Sequence, residues 1–373
     1  MAEGSGTQPA GLGVAEARLL EDFLAGKRPA LARAISIVEN GRPGAQALLQ
    51  ALHGRLGRAR RIGITGPPGA GKSTLVAALT TALRARGDTV AVVAVDPSSP
   101  FTGGALLGDR IRMGEASLDP GVFIRSMASR GSLGGLALTT KEVADVLDAF
   151  GFDHVLIETV GVGQSELDIA AAADTTVVVL VPESGDSIQA MKAGLMEIAD
   201  VFVINKADRP GAERLAREVE LMLHLRAGRG MHRLPAHHGV DLSRIRRRQE
   251  AAEPAEGEGA AATGEAGGAG GGRSEGWAIP VLQTVASTGQ GVDALVEALD
   301  HHHAWLQASG ELGRRRRRRL AERVREAVDR GLRQRAWTEA GGEAILEQSL
   351  PALEAGTITP YEVAERIVRA AVG

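Results

Sequence analysis

The sequence contains no cysteine, and this absence excludes several kinds of chemistry. Disulfides, cysteine nucleophiles and thiolate metal sites are impossible, and the chain is compatible with a reducing cytosol. Aromatic residues make up only 3% of the chain. No apolar run approaches the ~20 residues of a membrane span. The formal charge of -3 gives no support for a nucleic-acid partner. We therefore expect a cytoplasmic protein that has neither nucleic acid nor a membrane as its partner.

One stretch stands out among what is present, Gly-Pro-Pro-Gly-Ala-Gly-Lys-Ser-Thr at 66–74. It fits the phosphate-loop pattern Gly-x-x-x-x-Gly-Lys-Ser, for which an incidental glycine-rich turn is the alternative. The flanks predict a strand over 61–65 and a helix over 72–83, which is the order this loop requires. Its glycines allow backbone N–H groups to surround an anion at the helix N-terminus. The predicted nucleotide-binding residues are Gly66, Pro67, Pro68, Gly69, Ala70, Gly71, Lys72, Ser73 and Thr74.

The loop is followed by alternating strand and helix patterns, which predict a mostly parallel sheet covered on both faces. The predicted strands are 90–95, 122–127, 154–158, 176–181, 201–204 and 281–285, and the predicted helices among them are 139–150, 186–198 and 291–307. The fold class is therefore α/β, a P-loop NTPase flanked by N-terminal helices and a C-terminal helical tail.

Polar residues follow several of these strands, and ligands bind at the carboxyl ends of the strands in an open parallel sheet. Asp96 and Glu158 each end a strand, and Asn205-Lys206-Ala207-Asp208 follows another. The Asp208 carboxylate can accept hydrogen bonds from N1–H and the 2-amino group of guanine, which adenine cannot supply. Asn-Lys-x-Asp therefore predicts guanine selection, with an ordinary turn as the alternative.

The catalytic prediction concerns phosphate, Mg²⁺ and water. Lys72 is expected to reach the β- and γ-phosphates, and Gly161 to offer its N–H to the γ-phosphate. Val162 stands where small GTPases hold a water-orienting glutamine, which predicts slow intrinsic hydrolysis of GTP to GDP and phosphate. Asp96 is the candidate for positioning water, with Gln164 a weaker one. The predicted Mg²⁺ ligands are Ser73, Asp96, Asp109 and Glu158, although Asp109 fits a helix cap equally well.

Composition predicts four regions along the chain. Residues 1–13 are expected to be disordered, 14–60 to form a helical extension, 61–308 the GTPase domain, and 309–373 a helical dimerisation region. A Gly-, Ala- and Glu-rich insertion at about 228–276 is also expected to be disordered.

Several side-chain environments are predicted outside the site. Histidines 232, 237 and 238 are interpreted as solvated, and 301–303 as surface. The arginine run 314–319 is interpreted as a solvated face, with docking on an acidic surface as the alternative. The helix after this run is expected to bury Leu320, Val324, Val328 and Leu332, against the preceding domain, the other tail helices or a second copy of the chain.

Four stretches together resemble the methylmalonyl-CoA mutase-associated GTPases, bacterial relatives of the human methylmalonic aciduria type A protein that are sometimes labelled arginine/ornithine transport kinases. These stretches are 66–74, 96–113, 158–166 and 205–208. The second, Asp-Pro-Ser-Ser-Pro-Phe-Thr-Gly-Gly-Ala-Leu-Leu-Gly-Asp-Arg-Ile-Arg-Met, is the specific one, because the others are shared widely among GTPases. The likeness covers most of the chain.

The resemblance implies a homodimeric GTPase that acts as a chaperone for an adenosylcobalamin-dependent acyl-CoA mutase, gating cofactor loading and protecting the mutase. The implied cofactors are GTP or GDP and Mg²⁺. Residues 183–194 match the family's mobile signalling loop, in which Lys192 is a candidate partner for the phosphate region. The family clamps guanine with a Ser-Ala backbone, where this chain has Val285, Ala286 and Ser287. The insertion also exceeds the family norm.

Three other functions are alternatives. A metal-delivery GTPase of similar fold needs Cys/His ligands near the nucleotide, and this chain has no cysteine. A small-molecule kinase rarely needs a guanine-selecting Asn-Lys-x-Asp. A pure interaction module is disfavoured because every phosphate-loop position is intact.

Overall fold

The structure is a computed structural model that describes residues 13–96, 118–128, 135–159, 171–182, 194–226 and 276–372. By its internal contacts the chain divides into two units, residues 1–217 with 277–373, and residues 218–276. The described part of the second unit is the end of one helix, up to Arg226, and Gly276. All the described strands belong to the first unit.

Seven strands form one sheet, and every pairing between them is parallel. The spatial order is β3-β2-β4-β1-β5-β6-β7, so the first strand lies at the centre. The mostly parallel sheet that the sequence predicts is therefore confirmed. The bounds are β1 Arg60–Thr65, β2 Val90–Asp96, β3 Val122–Ala128, β4 His154–Thr159, β5 Thr175–Leu180, β6 Val201–Asn205 and β7 Val281–Thr284.

Helices precede, connect and follow the strands. Those up to β7 are α1 Val14–Leu24, α2 Arg28–Glu39, α3 Ala45–Leu52, α4 Lys72–Ala85, α5 Gly135–Phe150, α6 Met196–Ile198 and α7 Ala212–Arg226. Those after it are α8 Val292–Ala308, α9 Glu311–Gln334, α10 Gly342–Glu354 and α11 Pro360–Val372, with a π-helical segment Arg335–Glu339 between α9 and α10. Helix α7 was not predicted from the sequence. For the predicted helix 186–198, the structure describes only residues 194–198.

The strands are buried on both faces, as their nearly continuous apolar sequences require. In β2, Ala91, Val93 and Val95 pack with α1, α2, α3 and α5 on one face. Val90 and Val92 point to the other face, where α4 and α8 complete a second core. The alternation follows from the two-residue period of a strand. Two apolar layers therefore hold the sheet rigid beneath the loops at its carboxyl edge.

The long helix α9 does not bury its apolar stripe against its own chain. Its predicted buried stripe is exposed, with relative accessibilities of 46%, 64%, 53% and 58% at Leu320, Val324, Val328 and Leu332. The helix instead turns Arg315, Arg316 and Arg323 toward the domain and buries Arg319. Docking of the run on acidic residues was the less favoured interpretation, and the structure shows that it occurs within the chain.

The acidic residues that pair with the arginines of α9 lie at the amino edge of the sheet. Asp174, just before β5, accepts hydrogen bonds from Arg316 at 2.8 Å and Arg319 at 2.6 Å. Asp200, just before β6, accepts two from Arg315, both at 2.8 Å. Burial works to raise the pKa of Asp174, but hydrogen bonding to Arg316 and the charge of Arg319 outweigh it and hold the pKa well below its usual range. The charged face of α9 is therefore needed to satisfy buried carboxylates, which leaves its apolar face outward.

The interpretation of 301–303 as surface is wrong for the middle residue, because His302 is fully buried in α8. Its Nδ1 lies 2.9 Å from the Thr175 hydroxyl, and its ring packs against Trp277 and Trp305, which also contact each other. Burial lowers the pKa of His302 to about 4, although the Asp200 carboxylate acts to raise it. The imidazole is therefore neutral near pH 7. No helix in the described part of the chain is both long and apolar enough to cross a bilayer.

Candidate nucleotide-binding site

The loop after β1 has the backbone geometry of an anion cradle. Gly66, Gly69 and Gly71 all have positive φ, at 141°, 76° and 84°. At Gly66 an added Cβ would lie 2.1 Å from the Val179 carbonyl oxygen, so no larger residue fits. Gly71 begins α4 without a side-chain cap, which leaves the first N–H groups of the helix available to an anion.

Lys72 and Ser73 begin α4 and lie beside the end of β4. The buried Lys72 ammonium donates to the carbonyl oxygens of Gly66 at 2.7 Å and Pro67 at 3.0 Å. The Ser73 hydroxyl donates to Glu158 Oε1 at 2.5 Å. Because β4 neighbours β1, with Ile64 opposite Glu158, the sheet itself brings this carboxylate to the loop. The structure therefore brings together Lys72, Ser73 and Glu158, three predicted site residues.

Asn205 connects the loop after β1 to the loops after β6 and β7. Its Nδ2 donates to the Ala70 carbonyl oxygen at 2.9 Å. Its Oδ1 accepts from the Thr284 hydroxyl and the Ala286 N–H, both at 3.1 Å. Since the amide is buried and uses both ends, it fixes the relative positions of three loops across the width of β5.

Lys206 makes a second connection of the same kind. Its ammonium donates to the Gly69 carbonyl oxygen at 2.8 Å. It is the one described non-glycine residue with positive φ, at 57°. This strained backbone is held by the hydrogen bond from Ala207 N–H to the Thr284 carbonyl oxygen at 3.0 Å. The turn leaves Asp208 exposed, where a base can reach its carboxylate.

The loop after β7 lies beside Asn-Lys-x-Asp because β6 and β7 pair with Asn205 opposite Thr284. Val285 N–H is taken by the Gln290 carbonyl oxygen at 3.0 Å, and Ala286 N–H by Asn205. Ser287 is exposed at the tip. Three predicted guanine-contacting positions therefore adjoin the predicted base-selecting turn.

The remaining predicted site residues divide into two groups. Pro67 is buried, Pro68 and Thr74 are exposed, and Asp96 ends β2, although only its backbone is described. Outside the described residues lie Asp109, Gly161, Gln164 and Lys192.

The sequence reading missed Thr284, which orients the Asn205 amide. The available signal was a hydroxyl residue at the end of the last strand, directly before Val-Ala-Ser. Its importance depends on the pairing of β6 with β7, which no local pattern specifies.

Gly71 and Gly69 offer a matched test of the Asn205 connection. Both have positive φ, but a Cβ at Gly71 would lie 2.5 Å from Asn205 Nδ2, whereas a Cβ at Gly69 meets nothing within 4 Å. We expect Gly71→Ala to lower the free energy of unfolding of nucleotide-free protein by about 1–3 kcal/mol more than Gly69→Ala, because the Asn205–Ala70 bond is lost. Urea unfolding measures the difference, and equal losses in the two variants would contradict this role of Asn205.

Comparisons with known proteins agree with this geometry. Residues 31–341 match the family model described as methylmalonyl Co-A mutase-associated GTPase MeaB. A Pyrococcus abyssi protein assigned as a GTPase is 41% identical over 95% of this chain and 96% of its own length. GTPase ArgK of Escherichia coli is 33% identical over 90% of each chain. The mouse methylmalonic aciduria type A homolog, mitochondrial, is 34% identical over 80% of this chain and 66% of its own.

A solved structure extends the likeness to the fold. The crystal structure of LAO/AO transport system kinase superposes with a TM-score of 0.62 and 26% identity, covering 96% of this chain and 98% of that one. The resemblance stated from the sequence is thereby confirmed. With a phosphate-loop sequence and a family match over most of its length, the chain belongs to the methylmalonyl-CoA mutase-associated GTPases and is a guanine-nucleotide-binding GTPase.

Proposed function

We propose that the protein is a GTP-driven chaperone that gates adenosylcobalamin loading and protects an acyl-CoA mutase such as methylmalonyl-CoA mutase. The observation that carries this proposal is the family match over residues 31–341, since the family is described as mutase-associated. In support, the loops that would contact phosphate and base are joined by the single buried amide of Asn205. The output would be a conformational change rather than a chemical product.

The proposed catalytic chemistry is GTP hydrolysis in the loop after β1. The first N–H groups of α4 and the Lys72 ammonium would hold the phosphates, with Lys72 exchanging its two carbonyl partners for phosphate oxygens. Ser73 and Glu158 supply adjacent oxygen atoms of the kind that Mg²⁺ prefers, so they fit this ion and would hold it with Asp96 and Asp109. Bound there, Mg²⁺ would neutralise charge on the phosphates. Slow turnover is part of the proposal, with Val162 in place of a water-orienting residue.

Asp208 is proposed to select guanine. We expect Asp208→Asn to weaken GTP binding by about 1–3 kcal/mol, roughly 5- to 150-fold, because the amide presents a donor to the 2-amino group. Xanthosine triphosphate has a carbonyl at that position and should regain the affinity that GTP loses. Calorimetry with the two nucleotides measures both effects. Unchanged GTP affinity in this variant would count against the base assignment.

The chaperone role is tested with the mutase from the same organism. We expect wild-type protein to slow inactivation of the turning-over mutase and to make cofactor transfer depend on GTP. Lys72→Ala should abolish both effects because it removes the phosphate-binding ammonium, whereas Lys27→Ala, at a surface ion pair with Asp22, should abolish neither. Activity decay and cobalamin absorbance are the readouts. If Lys72→Ala protects the mutase as well as wild type in GTP, nucleotide gating is wrong.

A small-molecule kinase is the second candidate, favoured by the name of the LAO/AO transport system kinase whose fold this chain shares. Transfer of labelled γ-phosphate from GTP to arginine or ornithine would support it. Transfer to water alone supports the chaperone proposal.

A homodimer is proposed through the C-terminal region, residues 309–373. The four apolar residues of α9 named above form a continuous exposed stripe, and Trp337, Leu350, Tyr361 and Val368 add exposed apolar surface beyond it. Isolated soluble domains rarely expose a contiguous surface of this kind. The family resemblance indicates a second copy of the chain as the partner. We also propose that residues 14–60 form a helical extension and that residues 61–308 form the GTPase domain.

Val324 tests the dimer. We expect Val324→Asp to raise the dimer dissociation constant roughly a hundredfold, about 3 kcal/mol, because it would bury an unpaired charge. Arg318→Asp introduces the same side chain at an exposed position outside the stripe and should have a much smaller effect. Sedimentation equilibrium measures both. A wild-type protein that is monomeric at micromolar concentration would contradict the dimer proposal.

A further inference from the structure

A cavity lined by several charged side chains lies at the amino edge of the sheet, at the opposite ends of the strands from the nucleotide site. It has a volume of about 200 Å³. Its walls come from the turn after α3, the start of β1, α5 and α9. The lining residues are His53, Leu56, Gly57, Arg61, Asp145, Asp148, Arg316, Arg319, Leu320 and Arg323.

The charges around this cavity do not balance. Four arginines line it, against Asp145 and Asp148 in the lining and Asp174 directly behind Arg316 and Arg319. Two of these carboxylates also serve other groups. Asp148 accepts from the N–H groups of Gly57, Arg58 and Ala59 as well as from Arg61. Asp145 is shared between Arg61 and Arg323. In the lining itself, four guanidinium groups therefore face two carboxylates, while Asp174 lies behind them and Glu142 and Glu326 act on Arg323 from outside.

Arg323 has donors to spare. Its side chain is 20% exposed, and among the described residues its one ion pair is through Nη1, to Asp145. Nε and Nη2 are left for a further acceptor at the cavity. Leu320 and the exposed His53 also line this cavity, and they offer a route in from solvent.

The pKa shifts of the arginines also show incomplete compensation of their charge. Burial lowers the pKa of Arg319 and Arg323, and the charge of Arg61 lowers both further, so that Asp174 and Glu142 do not restore the usual value. At Arg315, by contrast, Asp200 outweighs the effect of burial and the pKa is raised. Nearby carboxylates thus compensate the charges of Arg319 and Arg323 less well than the charge of Arg315, which does not line the cavity.

We propose that this cavity is a binding site for a small oxyanion, held by Arg323 with Arg61 and Arg319 behind it. The anion would supply the acceptor that the carboxylates do not, through charge-assisted hydrogen bonds. Because Arg319 and Arg323 belong to α9 and Arg61 begins β1, the bound anion would fasten α9 to the sheet. The site is separate from the phosphate loop, which lies at the carboxyl end of β1.

Inorganic phosphate and acetate are the probes. Full-length protein saturated with GDP and Mg²⁺ is titrated with each anion at constant ionic strength in chloride, and the shift of the unfolding temperature gives the dissociation constant. We expect saturable stabilisation by at least one anion. Arg323→Gln should raise that dissociation constant at least about tenfold, the effect of one charge-assisted hydrogen bond. Arg325→Gln, at an exposed position of the same helix, should leave it unchanged.

Two further measurements keep the result interpretable. GDP affinity of Arg323→Gln should equal that of wild type, which shows that the variant is folded. Repeating the titration in Lys72→Ala removes phosphate binding at the nucleotide loop, so failure of GTP binding and failure of the oxyanion site are distinguishable. The proposal is overturned if neither anion gives saturable stabilisation, or if Arg323→Gln and Arg325→Gln bind the anion equally well.

Discussion

The site depends on one buried side-chain amide. Asn205 donates to the loop after β1 and accepts from the end of β7 and the loop that follows it, so the segments proposed to bind phosphate and base cannot move independently. A buried amide that satisfies both its donor and its acceptor is costly to disturb, because a lost partner leaves a polar atom unsolvated. The constraint explains why glycine is required at Gly71, where any Cβ would meet Asn205. It also explains why the strained Lys206 backbone persists between two fixed points.

At the amino edge of the sheet, ion pairs hold the starts of β1, β5 and β6. Asp174 and Asp200 precede β5 and β6 and are neutralised by arginines of α9, while Arg61 at the start of β1 is held by Asp145 and Asp148. An amphipathic helix ordinarily turns its apolar face inward. Here buried carboxylates at the sheet edge need cations, so the polar face docks and the apolar face is presented outward. An exposed apolar stripe that is rigidly held suits association with another protein surface, which is the basis of the proposed homodimer.

Prediction from sequence was most successful where the pattern is local. Strand β2 is a nearly continuous apolar run and the loop 66–74 is a contiguous motif, so both could be located within a few residues. It failed where burial depends on what lies opposite. His302 and Arg319 look like surface residues in a helix, but the packing of α8 and α9 on the sheet buries both. Thr284 was missed because a lone hydroxyl at a strand end acquires a role only when β7 pairs with β6.

The sequence by itself determined the class of protein, because phosphate and guanine recognition require particular residues at fixed spacing along the chain, and that spacing survives without coordinates. The absence of cysteine likewise excluded whole classes of chemistry. Only the tertiary structure decided which face of α9 is buried, which amide joins the loops, and where unbalanced charge surrounds a cavity. Those outcomes depend on the distances between residues far apart in the chain, and hydrogen bonds and ion pairs lose their strength within a few ångströms of their optimum.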